Sequence, residues 1–432
     1  MIVNNDYLAS SFIIEKGSMR ALLYIALTGC AMAAPPTFYR DIVPILEKHC
    51  QNCHRPSEIG PMPLLTYQQV RPWAAAIRES VKLRKMPPWF ADRKHGEFAN
   101  NPQLNAAEIA LIDEWVKAGT PEGAKVRSAV VSHPPSTSAD LVLTAPTEFT
   151  IPAKAVIDYQ YLIFAGAFKT DKWVRGVAIR PSDRSVVHHA VLYVRGSRSP
   201  WLRGVPAGRF YAPARTDPDT LRGTRDTKED ILAIYTPGAP ATVLPKGMAK
   251  KIPAGADLVL QLHYTSGKTQ SIDRPRIELQ FLEQRPAKRI ITLQMGRDDL
   301  RIPPGDPDYR ATVAGTLPGD ALLISLFPHM HLRGSAFEFD IVGPRGYVDT
   351  LLRVKPYDFN WQLNYVLKTP RLLRKGTTLR WTGYFDNSPN NPANPDPSAE
   401  VTWGEQSWDE MMIGFFDVAV DPEMTKQDYF VR

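Results

Sequence analysis

The chain has 432 residues, with 52 Lys and Arg against 45 Asp and Glu and a formal net charge of +7. That length exceeds what one hydrophobic core usually supports, so two or three domains are expected, and the scattered basic residues, without an interleaved aromatic patch, argue against nucleic acid as a partner. The 39 prolines and 27 glycines divide the chain into many short segments, which favours β-rich domains over helical ones.

Residues 1–34 read as a targeting segment. Met19 and Arg20 open "MRALLYIALTGCAMAAPP", and residues 1–18 read as an over-extended start. The apolar run 21–29 is too short to span a bilayer but fits the apolar region of a secretory signal. "LTGC" resembles the bacterial lipobox, which would lipidate Cys30 and anchor the chain to a membrane. "AMA" at 31–33 would instead suit ordinary cleavage, and both routes stay open. Either one implies export to the periplasmic or outer-surface side of a bacterial membrane.

Besides Cys30 the chain has two cysteines, Cys50 and Cys53, in "HCQNCHRP" with His54. A C-x-x-C-H run is the attachment signature of a c-type haem: two thiols add to the vinyl groups and the histidine is the proximal ligand. The rival reading, a redox C-x-x-C, would need a βαβ pattern that is absent here. The mature chain is then expected to be free of structural disulfides. "TFYRDIVPILEKHC" reads as a helix with Phe38, Ile42 and Ile45 or Leu46 on one face. "TYQQVRPWAAAIRESVKL" and "NAAEIALIDEWVKAG" read as two more, the last with a capping-box start at Asn105 and Glu108 and a stop at Gly119. Residues 35–123 are therefore expected to form an all-α cytochrome c domain, whose plan residues 37–123 resemble. Met86, on the proline-stiffened "KMPPWF", is the preferred distal ligand, with Met62 as its rival. His49 and His95 are read as surface residues. Residues 124–138 read as a linker.

From 139 onward alternation dominates. "DLVLTAPTEFTI", "WVRGVAI", "ADLVLQLHY", "RIELQFLE", "ALLISLF", "FEFDIVG", "TLRWTGYF" and "MMIGFFDVAV" are strand-like runs between turn residues. Two all-β sandwich domains are expected, over 139–290 and 291–432. Five histidines lie in this region on strands. His188 and His189 are adjacent, His263 stands opposite Leu258, Leu260 and Leu262, and His329 and His331 share a face because strand side chains alternate. Imidazole is the commonest metal ligand and suits copper, zinc, iron and nickel.

"VVHHAVLYV", "LQLHYTSG", "FPHMHLRG" and "SWDEMMIGFF" resemble, in that order, the copper-ligand segments of the ascorbate-dependent type II copper monooxygenases. The resemblance spans roughly residues 140–420. It implies two jelly-roll-like sandwiches presenting two copper ions across a solvent-filled cleft. It would place an electron-transfer copper on His188, His189 and His263, and a dioxygen-activating copper on His329, His331 and Met411. A register slip would exchange Met411 for Met412. A thioether favours Cu(I), the form that meets dioxygen. Adjacent His188 and His189 can both ligate only with a local twist or bulge, or through different ring nitrogens.

The expectation is an exported copper monooxygenase carrying one covalent haem c and two copper ions. It would hydroxylate a C–H bond of a small organic substrate with dioxygen, fed by a protein or small-molecule electron donor. The alternative is an exported electron-transfer or copper-binding protein on the same scaffold, or a binding module with structural histidines. Family substrate residues do not map onto this chain.

Overall fold

Phe38, Ile42, Ile45 and Leu46 recur at helical spacing, and all four are buried along one run. A π-helical turn, Phe38–Ile42, leads into α1 (Val43–His49). The second expected helix is broken: α2 (Tyr67–Val70) passes through a 3₁₀ turn, Arg71–Trp73, into α3 (Ala74–Lys82). Pro72 lies at the break, where its missing N–H removes a helical hydrogen bond. α4 (Ala106–Lys117) has the expected capping box. The Glu108 N–H donates to Asn105 Oδ1 at 2.9 Å, and the Asn105 N–H donates to Glu108 Oε2 at 2.8 Å. The computed structural model describes residues 34–56, 58–125, 139–213, 229–238 and 240–429. The targeting segment, Cys30 and most of the linker lie outside the described residues.

These helices do not make the expected N-terminal all-α cytochrome c domain. Strand accounts for 39% of the structure and helix for 13%, and Pro36–Arg432 is one compact unit. The physical reason lies between α3 and α4. There the chain has no helix, and Trp89, Phe90, Ala91 and Phe98 pack on a β core. Trp89 is packed among strand residues, Ala91 bridges to Val354, and Phe98 bridges to Leu367. Asn100 Nδ2 donates to the Asn364 carbonyl at 2.7 Å, and its Oδ1 accepts from the Val366 N–H at 3.0 Å. The segment from 89 to 100 is thus a strap on the second half of the β structure.

Among the described residues, twenty-two strands follow. The first half holds β1 (Leu141–Thr144), β2 (Phe149–Ile151), β3 (Gln160–Phe164), β4 (Lys172–Arg180), β5 (Val187–Arg195), β6 (Phe210–Tyr211), β7 (Asp230–Tyr235), β8 (Thr242–Val243), β9 (Met248–Ile252), β10 (Asp257–Tyr264), β11 (Ser271–Asp273) and β12 (Arg276–Leu282). The second holds β13 (Lys288–Arg297), β14 (Arg301–Ile302), β15 (Tyr309–Thr316), β16 (Ala321–Met330), β17 (Gly334–Val342), β18 (Val348–Val354), β19 (Tyr365–Leu373), β20 (Thr378–Phe385), β21 (Val401–Thr402) and β22 (Met412–Val420). Every run read as strand-like contains strand.

The two halves share a sheet. One nine-stranded sheet runs β1-β12-β4-β9-β13-β22-β16-β19, with β8 on β4. Its halves join where β9 pairs parallel with β13, Met248 opposite Lys288 and Ala249 opposite Arg289. The expected division at 290/291 therefore falls inside β13. A five-stranded sheet, β6-β3-β10-β5-β7, covers the first half, and a four-stranded sheet, β15-β20-β17-β18, covers the second. Leu258, Leu260 and Leu262 of β10 and Leu192 and Val194 of β5 fill the first core. Met330, Met412, Phe416, Phe337 and Trp381 fill the second.

Alternation leaves each of these strands a second face. On the five-stranded sheet that face carries Tyr161, Val191, Tyr193 and Val259, which cluster with Phe415 of β22. The back of the five-stranded sheet is thus packed against the back of the second half of the nine-stranded sheet. The seam between them holds the histidines.

Candidate functional site

The three first-half histidines meet at one end of the five-stranded sheet. His189 on β5 stands directly opposite His263 on β10, but the next pair is Tyr264 with Val187. His188 is therefore the extra residue of a β-bulge, which is the local device that lets two adjacent histidines serve one point. Below the bulge Val187 faces the first core, and above it Ala190 does the same. The ligand atoms of His188, His189 and His263 lie within 4.8 Å of one another. His188 Nε2 and His263 Nδ1 are buried without a hydrogen-bond partner. Burial lowers the pKa of all three, His188 to about 4 and His263 to about 3. His188 and His263 thus hold an unused buried ring nitrogen each, while His189 Nδ1 lies 3.2 Å from His188 Nδ1 and its Nε2 3.3 Å from Tyr159 Oη; neutral imidazoles gathered this way fit a metal such as copper.

His329 on β16 is paired with Ile413 on β22, and His331 follows the strand end. His329 Nδ1 is 2.7 Å from Gln362 Oε1, and His331 Nδ1 is 3.3 Å from the Asp409 carbonyl. Both partners are acceptors, so each Nδ1 carries the proton and each Nε2 keeps its lone pair. The intervening Met330 is buried in the second core.

The same alternation separates the two methionines. Met412 packs into the second core, where its side chain and that of Met330 crowd Gly383. Met411 lines a cavity in the seam together with His189 and His329. Its thioether thus shares a space with both histidine sets. The cavity is about 50 Å³, room for a few water-sized molecules, with walls that include Tyr159, Ile234, Phe327 and Phe415 and polar groups from Gln261, Gln294, Gln362 and Glu405.

The two sets are closer than the implied solvent-filled cleft. The rings of His189 and His329 are 5.8 Å apart. Phe359 stacks on His188 at 4.3 Å and reaches His331 at 6.0 Å. Phe359 and Gln362 lie between β18 and β19, in a loop tied at both ends by the strap. The Lys355 N–H donates to the Phe90 carbonyl at 3.1 Å, and Asn100 holds Asn364.

A buried clasp holds the second set. Glu410 accepts the His331 N–H at 2.9 Å and the Arg333 N–H at 2.6 Å. Arg333 in turn donates to Asn387 Oδ1 and to the Trp408 carbonyl, both at 2.7 Å. Burial pushes the Glu410 carboxyl up to about 8. Glu410 and Arg333 adjoin the ligand motifs and were legible there as charged residues. Phe359 and Gln362 sit in "YDFNWQLN", which has no periodicity to mark them.

In the haem motif, Cys50 and Cys53 are both free. Burial raises the Cys50 thiol to about 12 and raises Cys53 as well, the opposite of a reactive redox pair. His54 Nδ1 is 3.1 Å from the Met62 carbonyl, so Nδ1 donates there and Nε2 is left to bind iron. A Cβ at Gly60 would come within 2.7 Å of His54 Nδ1, and one at Gly238 within 2.7 Å of Cys53 Sγ. These residues fit covalent haem. The Met62 carbonyl contact puts that residue on the proximal side, which disfavours it as a distal ligand. Met86 is 38% exposed, at the surface. His49 is not a surface residue: its side chain is 6% exposed, with Nδ1 2.7 Å from the Pro102 carbonyl and Nε2 3.1 Å from Glu108. It ties α1 to the start of α4. His95 is partly exposed.

The buried histidines predict an acid-sensitive metal-free protein. Their folded pKa values lie below 6.5, so below that pH the unfolded chain binds protons that the folded chain refuses. Their contribution to stability falls from about pH 6.5 to the folded values of 4 and 3. Glu410 acts oppositely, since its raised pKa costs stability as pH rises from 4.5 to 8. Three histidines outweigh one glutamate, and urea midpoints of metal-free protein should fall on acidification from pH 7 to 4. Replacing His263 by Gln should flatten that slope; an unchanged slope would contradict the assignment.

No family model and no curated protein matches this chain. Among solved structures, PNGase F from Flavobacterium meningosepticum is similar at 10% identity and a TM-score of 0.26, over 65% of this chain and 97% of that one. The major capsid protein P2 of bacteriophage PM2 is similar at 10% identity and a TM-score of 0.24, over 64% and 98%. At TM-scores this low the likeness extends to neither fold nor activity.

Proposed function

We propose that the chain is an exported haem–dicopper monooxygenase that inserts one atom of dioxygen into a C–H bond of a small organic substrate. The observation that carries this reading is the seam cavity, where His189 of the three-histidine set faces His329 and Met411 of the other. Bound copper would supply a one-electron relay at His188, His189 and His263 and dioxygen activation at His329, His331 and Met411, and a covalent haem c on Cys50, Cys53 and His54, with Met86 as distal ligand, would supply electrons from a protein or small-molecule donor.

The chain's own residues do the rest. Gln362 and the Asp409 carbonyl hold the Nδ1 protons and aim each Nε2 the other way. Tyr159 Oη lies 3.3 Å from His189 Nε2 and restrains that ring. Phe327, Phe415 and Ile234 exclude water, and Gln261, whose Nε2 donates to Tyr161 Oη at 2.6 Å, gives the cavity a neutral polar wall. The signal segment motivates export, with lipidation of Cys30 as one route to a membrane surface.

The test is a substrate screen under ¹⁸O-labelled dioxygen, scored by product mass. One added labelled oxygen per product, dependent on copper, is the expected result. A second reading is favoured by the small cavity and the 5.8 Å approach of His189 to His329, which leave little room for a substrate: an electron-transfer or copper-binding protein. Copper-loaded protein that cycles electrons but consumes no dioxygen with any substrate would support it.

A further inference from the structure

We propose that Glu58 and Arg184 form a latch that docks the haem-attachment motif beside the three-histidine centre; the inference rests on the haem and copper loading proposed above. Arg184 Nη1 donates to both Glu58 oxygens, at 2.7 and 2.6 Å. The two side chains are 16% and 7% exposed. Glu58 also accepts from Arg55 at 2.9 Å, within its own segment.

The position of the pair sets what it does. Glu58 lies four residues after His54. Arg184 opens the turn Arg184–Val186 that feeds β5, four residues before His188. A second contact lies nearby, where Cys53 Sγ rests against Gly238, just past β7. β7 ends at Tyr235, which pairs with Ala190 of β5. The motif therefore touches the turn before β5 and the turn after β7. Both turns are at the end of the five-stranded sheet where His188, His189 and His263 stand. A linker would leave such an encounter to diffusion; a latch fixes its geometry.

With haem held on Cys50 and Cys53 and copper on the three histidines, the placement would serve transfer of one electron from the reduced haem to the oxidised copper, with no bond made or broken. An external one-electron donor restores the haem. Glu58 and Arg184 are positioning residues, since neither is among the proposed ligands.

The test uses full-length protein as Arg184→Gln, Glu58→Gln and Arg184→Lys. Haem is read on denaturing gels, copper per chain by metal analysis, haem reoxidation by stopped-flow absorbance, and residues 50–64 by amide hydrogen exchange. The two Gln variants should keep both cofactors, exchange faster over 50–64, and transfer electrons about tenfold or more slowly, because Glu58→Gln strands the Arg184 charge and Arg184→Gln leaves Glu58 paired only with Arg55 of its own segment. Arg184→Lys keeps a point charge where one nitrogen makes the contact, and should transfer near the wild-type rate. Gln variants that hold both cofactors and transfer at the wild-type rate overturn the latch and leave the proposed function standing. Wild-type protein lacking haem or copper overturns both. If neither Gln variant folds, the pair is structural and the latch is likewise overturned.

Discussion

Met411→Ala protein is expected to keep copper on His188, His189 and His263 and to cycle it with a reductant. It should form product at least about a hundredfold more slowly, since even outer partners of metal ligands commonly cost 10–100-fold. Met411 lines the seam cavity with His329, and truncation removes the only thioether among the cavity-lining residues. Its neighbour should fail differently. Met412 is fully buried in the second core beside Met330 and Trp381, so Met412→Ala should cost about 2–5 kcal/mol of stability. At a temperature where it stays folded it should retain activity. Product assays beside urea midpoints for both variants separate the two. An inactive Met412→Ala beside an active Met411→Ala would mean that the strand presents the other methionine to the metal.

Cys50→Ala/Cys53→Ala protein should carry no haem on denaturing gels and lose turnover with a protein electron donor, while ascorbate restores part of it. His54, Gly60 and Gly238 close around the motif, and Arg184 ties it to the turn before β5. Removing the thiols removes the haem's covalent hold but leaves the histidine sets on their strands. In the intact protein, stopped-flow mixing of reduced protein with dioxygen and substrate should oxidise the haem faster when copper is present. Equal rates in copper-free protein would sink the relay.

Much of the local structure was legible. Asn105 and Glu108 announced the start of α4 because a capping box is a contact between residues three apart. The strand-like runs all contain strand, since alternation is a property of each segment alone. A local twist or bulge at His188 was one of the ways foreseen for two adjacent histidines to serve one metal, and Cys50, Cys53 and His54 fall within five consecutive residues. The all-α cytochrome c domain was not borne out, for a non-local reason. Helical periodicity in α1, α3 and α4 says nothing about where Trp89 and Phe98 go, and they pack, Trp89 buried and Phe98 partly so, on strands more than 250 residues away in the chain. His49 looked like a surface residue because its partners, Pro102 and Glu108, are distant in sequence.

By itself, then, the sequence determined which side chains share a face of a strand: His329 with His331, His263 away from Leu260 and Leu262, and Met411 away from Met412. Tertiary structure alone decided which of those faces meet. Parallel pairing of β9 with β13 makes one sheet of the two halves and lays the back of β16 and β22 against β5 and β10. That packing brings His189 to His329, turns Met411 rather than Met412 toward them, and lets the loop bearing Phe359 and Gln362 reach both sets. Side-chain alternation follows from the backbone of one strand, whereas contact between sheets depends on burying apolar surface contributed by residues far apart along the chain.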